Sequence, residues 1–132
     1  MNPIPKPTEA ELEILQILWA HGPSSVRFVH EQLSEARQAA NREEVGYTTT
    51  LKLMQIMADK GLATRDTSTR THIYAAGVQE NATQQHLLQK FVDATFRGSA
   101  MKLVMQALGN QQVSPEELDE IKALIEKLEK EQ

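Results

Sequence analysis

Apolar side chains recur at the three-to-four-residue spacing of a helix in three stretches of the first sixty residues. The first stretch begins at a capping-box pair, Thr8 and Glu11, and ends at a Gly-Pro pair. The second follows at once, with one serine of residues 24–25 as its predicted cap. The third is expected to begin at a cap formed by Thr48 and to end at Gly61. The pattern therefore predicts three consecutive helices.

Residues 46–77 are the most informative stretch, because a hairpin follows the third helix directly. Two short β-prone runs, 62–65 and 71–75, flank a polar tip at 66–70, and Gly77 closes the module. A hairpin directly after such a helix is typical of a winged helix-turn-helix. In that module the second helix of the motif enters the DNA major groove and the hairpin lies beside it on the backbone. The expected fold class is mainly α with a small β-hairpin.

The C-terminal third contains three more helical segments. Apolar residues recur at helical spacing in 87–96, 101–108 and 118–128, and Ser114-Pro115 is a strong start for the last helix. Three short helices with this many large apolar residues cannot cover one another, and pairing with a second copy is the common solution. The predicted organisation is a winged-helix DNA-binding domain over 1–77 and a helical dimerisation region over 78–132. The predicted dimer interface comprises Leu88, Phe91, Phe96, Leu103, Leu118, Ile121, Leu124, Ile125 and Leu128.

Composition narrows the class of protein. The chain has 132 residues and 40% hydrophobic residues, which suits one domain, or a small domain with an assembly segment. It has no cysteine, which excludes disulfides, thiolate metal sites and cysteine catalysis. The N-terminus lacks a signal pattern and no apolar run reaches membrane-spanning length. The sequence therefore predicts a cytoplasmic protein without membrane insertion.

The charge distribution bears on nucleic-acid binding. The net charge of −4 counts mildly against it, yet residues 47–77 carry a small basic excess while residues 78–132 carry an acidic one. A local excess this small predicts moderate DNA affinity that depends on dimerisation.

The predicted DNA contacts lie on the third helix and at the hairpin tip. Hydroxyl and N–H groups at the helix start can meet phosphate, and threonine methyl groups can meet thymine methyl groups; the alternative is plain capping. Lysine and glutamine three residues apart share one helix face and can reach base edges, or form only a solvated face. Arginines at the hairpin tip are placed for phosphate or the minor groove. The predicted contacts are Tyr47, Thr48, Thr49, Lys52, Gln55, Arg65 and Arg70.

Three further residues of this region receive different predictions. Thr50 is expected to pack inward, while Arg42 and Lys60 are secondary candidates for contact with the DNA backbone. No nucleophile elbow, glycine-rich phosphate loop or paired acid stands out, and the four histidines are scattered. The sequence therefore predicts neither an enzyme nor a metal or cofactor site.

With its segments in this order, the chain resembles the penicillinase-repressor family (BlaI/MecI/CopY type) of winged-helix transcriptional repressors. The resemblance is carried by TEAELEILQILWAHGPSSV, by GYTTTLKLMQIMADKGLATRD, and by FRGSAMKLVMQAL followed by SPEELDEIKALIEKL. It implies a dimeric, sequence-specific repressor that binds an inverted-repeat operator in double-stranded DNA. It also implies release by a signal, either from a membrane sensor-protease system or from metal bound to a cysteine cluster.

The chain departs from both inducing routes that the resemblance implies. It has no cysteine for a copper-thiolate switch. Cleavable members carry an Asn-Phe bond where this chain has Gln106-Ala107. DNA binding is therefore expected to carry over, while the inducing signal, the operator and the regulated genes stay open, and a sensor-protease system is only a candidate partner.

Two other functions compete with repression. The first is a protein-interaction module that uses the winged helix as a scaffold without DNA, which the acidic total favours slightly. The second is a winged helix that senses a small molecule, which needs an apolar pocket for which the sequence gives no sign.

Overall fold

The computed structural model describes residues 4–110 and 112–132, and in that part of the chain six helices accompany one small antiparallel sheet. Contacts between residues divide the chain into two compact units, the first ending at Leu87 and the second comprising Leu88–Gln132. This division falls inside the fourth helix, downstream of the predicted boundary at residue 77. In chain order the elements are α1 (Glu9–His21), β1 (Ser24–Ser25), α2 (Val26–Ala39), α3 (Tyr47–Lys60), β2 (Ala63–Asp66), β3 (Ile73–Ala76), α4 (Glu80–Phe96), α5 (Ala100–Asn110) and α6 (Pro115–Lys130).

Local capping explains where α1 and α2 begin. The Glu11 N–H donates to Thr8 Oγ1 at 3.2 Å, and the Thr8 N–H donates to Glu11 Oε1 at 2.9 Å, which completes the predicted capping box. For α2 the cap is Ser25, whose Oγ accepts from the Phe28 N–H at 3.2 Å. Both helix starts are thus confirmed, and α2 ends at Ala39, ahead of a polar connection to α3.

The helix α3 begins two residues earlier than expected, and the prediction that Thr48 caps it is wrong. Gly46 occupies the cap position with an extended backbone and no side-chain hydrogen bond, so Tyr47 is the first helical residue. At the other end Gly61 has φ 86°, the left-handed conformation that favours glycine, and the Leu62 N–H donates to Met57 O. Because Leu62 still belongs to this helix stop, β2 begins at Ala63 rather than at residue 62.

The sheet has the strand order β1-β3-β2, with both pairings antiparallel. The two-stranded wing is as predicted in kind, with Ala63 opposite Ala76 and Asp66 opposite Ile73. The short strand β1 was not predicted. It pairs with β3 on the side away from β2, with Ser24 opposite Tyr74. The wing is therefore paired to the segment between α1 and α2, and does not project as an isolated hairpin.

The core of the first unit lies between α1, α2, α3 and the sheet. Trp19 on α1 reaches across it and donates its indole N–H to the Val78 carbonyl at 3.0 Å. The buried core residues are Ile14, Leu15, Leu18, Val26, Val29, Leu33, Met54, Met57, Leu62, Ala63 and Tyr74. Three helices closed by an antiparallel wing constitute a winged helix-turn-helix, which confirms the predicted fold class.

We expect Gly77→Ala to destabilise the first unit by about 1–3 kcal/mol. A Cβ at residue 77 would lie 2.7 Å from the Gly61 carbonyl oxygen and 3.2 Å from the Ala63 backbone, which cannot yield without displacing the wing. Urea unfolding followed by circular dichroism measures the loss. The control is Gly109→Ala, where nothing lies within 4 Å of the added methyl group. Equal stability of the two variants would contradict the close approach.

The second unit contains the end of α4 with α5 and α6. Ser114 caps α6, and a capping box with Glu117 confirms the predicted start. Large apolar residues remain exposed on all three helices, namely Leu88, Phe91, Met101, Val104, Met105, Leu108, Leu118, Leu124, Ile125 and Leu128. Large exposed apolar patches on proteins commonly form interaction sites. Among the described residues, no helix combines the length and apolar character needed to cross a lipid bilayer.

Candidate nucleic-acid interface

One face of α3 is open to solvent along its whole length. Tyr47 is 43% exposed, and Thr48, Thr49, Lys52 and Gln55 are exposed as well. The opposite face is buried in the core through Thr50, Met54 and Met57, which confirms the inward packing predicted for Thr50. The predicted contact residues of this helix therefore lie on its solvent-exposed face, where a DNA duplex could reach them.

The first turn of α3 is built to attract negative charge. The cap residue Gly46 has no side chain to satisfy the first N–H groups, and the first turn has no acidic residue. The partial positive charge of the helix start is therefore uncompensated by side chains. Hydroxyl groups of Thr48 and Thr49 lie beside these N–H groups, and together they can donate hydrogen bonds to phosphate or base acceptors.

The wing tip carries the two predicted arginines in a locally ordered turn. Asp66 accepts from the Ser68 N–H at 2.9 Å, and Thr69 Oγ1 donates to the Thr71 carbonyl at 2.7 Å. The hydrogen bonds from the Ser68 side chain and N–H lower the pKa of Asp66 below its ordinary 3.8. Arg65 and Arg70 are both exposed around this turn.

A groove connects the wing tip to the starts of α2 and α3, and it contains an arginine that the sequence did not single out. Arg27 on the first turn of α2 lines it together with Tyr47, Arg70 and His72. The Arg27 guanidinium carbon lies 5.9 Å from the centroid of the Tyr47 ring, within the range of a cation–π contact. Its place on the first turn of α2 follows from the predicted cap, but only the packing of α2 against α3 brings it to Tyr47. The remaining lining residues are Ser25, Val26, Leu51, Thr71 and Tyr74.

Two other cations predicted as secondary contacts are engaged by α1. Lys60 Nζ lies 2.8 Å from Glu11 Oε1, and the Glu11 side chain is 2% exposed. Arg42 donates to Glu13 at 2.8 Å, and Glu13 also pairs with Arg37 at 3.0 Å. Both cations therefore form ion pairs with glutamates of α1 within the first unit, and their contact with the DNA backbone stays a prediction.

The Glu11–Lys60 pair predicts a pH dependence of stability. Burial raises the pKa of Glu11, but hydrogen bonds from Lys60 and the Thr8 N–H together with the Lys60 charge outweigh it, so the pKa of Glu11 lies below its ordinary 4.5. A lowered carboxyl pKa stabilises the fold above the ordinary value, and this contribution disappears as the pH falls through the lowered pKa. We expect Glu11→Gln to cost about 1–2 kcal/mol at pH 7 and progressively less below pH 5.

Unfolding in urea at a series of pH values tests this dependence. Glu31→Gln is the matched control, because Glu31 is exposed on α2. A difference between wild type and Glu11→Gln that stays constant from pH 7 to pH 3 would contradict the role given to this carboxylate.

Comparison with known proteins decides the family. The model of the penicillinase repressor family matches residues 7–127, which is most of the chain. The chain belongs to the penicillinase repressor family. This confirms the resemblance drawn from the three sequence segments, which lie within the matched residues except for Leu128 at the end of the last one. It places the chain among regulatory DNA-binding proteins.

A penicillinase repressor from Bacillus licheniformis is 24% identical over 127 residues, which cover 96% of this chain and 94% of that protein. Among solved structures, the DNA-binding domain of the repressor BlaI matches with a TM-score of 0.49 and 22% identity over 61% of this chain and 90% of that one.

Proposed function

We propose that this family member is a dimeric, sequence-specific repressor that acts on an inverted-repeat operator. The observation that carries the proposal is the groove in which the open start of α3 meets Arg27 of α2 and Arg70 of the wing. Two guanidinium groups line this groove beside Tyr47, the first residue of α3, and they match a phosphodiester backbone beside a major groove. Family membership supports DNA as the ligand.

Each part of the surface takes a separate role in this proposal. The exposed face of α3 enters the major groove, where Lys52 and Gln55 can read base edges. Arg27, Arg65 and Arg70 contact phosphates on either side and fix the register of the helix without reading sequence. A twofold dimer then presents two such surfaces to half-sites about 34 Å apart or a multiple of that distance.

The second unit supplies the dimer contact in this proposal. Six of the nine residues predicted for the interface are exposed in the single chain, whereas Phe96, Leu103 and Ile121 are half-buried. The exposed α5 residues Met101 and Met105 extend the same apolar surface. Covering this surface with a second copy would stabilise the dimer by about 25 cal/mol for each Å² of apolar surface removed from water.

Release of the repressor is expected to come from outside this chain. Gln106-Ala107 lies inside α5, a helix that would have to unwind before a protease could cleave it. We therefore propose a signalling partner without assigning cleavage to this bond, and a sensor-protease gene beside this gene would support such a partner.

Binding to the DNA upstream of its own gene tests the proposed function. Electrophoretic shifts at low salt should give a discrete complex with that fragment and a much weaker one with a scrambled fragment of equal length. Affinity should fall steeply with added salt, because phosphate contacts release counterions. A dimer by light scattering that shifts neither fragment would instead favour a protein-interaction scaffold.

A further inference from the structure

A chain of three polar groups ties α2 to the open start of α3. His30 on α2 is half-buried, and its Nδ1 lies 3.1 Å from Oγ1 of Thr50, a residue with no exposed surface. The same Thr50 Oγ1 lies 3.3 Å from the carbonyl oxygen of Gly46, the residue that precedes the helix. The connection spans two helices, so it can fix the position of the first turn of α3 relative to α2.

Only one arrangement of hydrogens makes both contacts hydrogen bonds. A carbonyl oxygen can only accept, so the Thr50 hydroxyl must donate to Gly46. The Thr50 oxygen then accepts from His30, which requires the hydrogen of the neutral imidazole to be on Nδ1. With the opposite tautomer the single Thr50 hydroxyl hydrogen could serve only one of the two contacts, and the other would bring two acceptor atoms together without a hydrogen.

The same histidine also contacts Tyr47, the first residue of α3. The rings of His30 and Tyr47 meet edge to face, with centroids 5.6 Å apart and planes at 80°. Arg27 contacts this same Tyr47 ring. The His30 imidazole therefore contacts both the buried Thr50 and the exposed Tyr47 in the first turn of α3.

We propose that His30 is a positioning residue for sequence recognition, acting through the hydrogen-bond chain His30–Thr50–Gly46 and through the Tyr47 ring. The inference rests on the proposed function, since it gives His30 the role of fixing the first turn of α3, the part of the helix proposed to contact DNA. His30 need not contact DNA itself. Its loss lets the first turn of α3 shift, which costs contacts that depend on exact base geometry more than contacts to phosphates.

Three substitutions at one position separate this role from general stabilisation. Asparagine carries an amide N–H near the position of Nδ1 and can still donate to Thr50, whereas glutamine places its amide near Nε2, and alanine donates nothing. We expect His30→Ala and His30→Gln to lower the affinity ratio of operator to scrambled DNA about five- to tenfold. His30→Asn should retain the ratio within about threefold. The salt slope should be unchanged in all three, because no phosphate contact is removed.

Thr50→Val provides the second arm of the test, because valine keeps the shape of threonine without its hydroxyl. Its effect should be no larger than that of His30→Ala, which also removes the Tyr47 ring contact, and the double variant should lose no more than His30→Ala alone, as expected for one connected chain. Additive losses would overturn the proposed connection. Loss of affinity for operator and scrambled DNA by the same factor would overturn the positioning role, leaving only a contribution to the fold.

A measurement on the free wild-type protein keeps the inference testable if a variant fails to fold. Two-bond nitrogen–hydrogen correlations at pH 8, where an ordinary histidine is neutral, should show His30 protonated at Nδ1. Protonation at Nε2 would overturn the hydrogen-bond chain. If wild type does not distinguish operator from scrambled DNA, the proposed function fails; if it does and His30→Ala distinguishes them equally well, only this inference fails.

Discussion

A chain carrying both Leu124→Asp and Leu128→Asp is expected to run as a monomer and to bind operator DNA about 100-fold more weakly than wild type. Both leucines are about half exposed on α6 in the single chain, at 55% and 51%. In a dimer seam their replacement would bury carboxylates without partners, at a cost of several kcal/mol. Without the dimer interface, independent copies bind the two half-sites, and the increase in affinity that comes from linking the two copies is lost.

The choice of positions depends on the single-chain structure. Ile121 lies in the middle of the same apolar stripe but is half-buried within the chain, so an aspartate there would also damage the fold of the monomer. Ala123→Asp is the matched control, because residue 123 is exposed and lies on the polar face of α6. Sedimentation should show a monomer for the double variant and a dimer for the control. A double variant that still sediments as a dimer would remove α6 from the interface.

Replacing Arg27 and Arg70 together by alanine is expected to weaken binding to all DNA sequences about 10- to 100-fold. The salt slope of the dimer should fall by about 3.6, because its two copies lose four phosphate contacts. Both guanidinium groups line the groove beside the start of α3 and are exposed. Each phosphate contact contributes about −0.9 to the slope of log affinity against log salt concentration. Because these contacts carry no base information, operator and scrambled DNA should lose affinity by similar factors.

Two further variants make this measurement specific. Lys52→Ala should chiefly reduce the preference for operator over scrambled DNA, because Lys52 lies on the α3 face proposed to read bases. Replacing the exposed Lys6 and Lys90 by alanine removes two positive charges that do not line the groove and should leave the slope nearly unchanged. If that control pair lowers the slope as much as Arg27 and Arg70 do, net charge rather than the groove governs binding.

The parts of the fold that follow from local sequence were predictable. The caps at Thr8, Ser25 and Ser114 satisfy N–H groups within three residues, so their signals lie in adjacent letters. The start of α3 was misplaced because Gly46 precedes a threonine run in which each residue can act as a cap. The packing of Thr50 against His30 joins residues 20 positions apart, so adjacent letters do not show it. The strand β1 was missed since two serines gain strand geometry only by pairing with β3.

The candidate site divides in the same way. Helical periodicity alone separates the exposed Lys52 and Gln55 from the buried Met54, so the free face of α3 was predictable. The ion pairs of Lys60 and Arg42 were not predictable, because their glutamate partners lie 49 and 29 residues away on α1. Arg27 was missed because only the packed helices bring it to Tyr47 and the wing.

The central claim is that two copies of this chain bind one operator through their α3 helices and wings. The most direct measurement combines the mass of the complex on operator DNA by light scattering with a hydroxyl-radical footprint of both strands. We predict two chains per duplex and a twofold-symmetric footprint whose half-site centres are about 34 Å apart or a multiple of it. One chain per duplex, or a footprint without twofold symmetry, would contradict the claim.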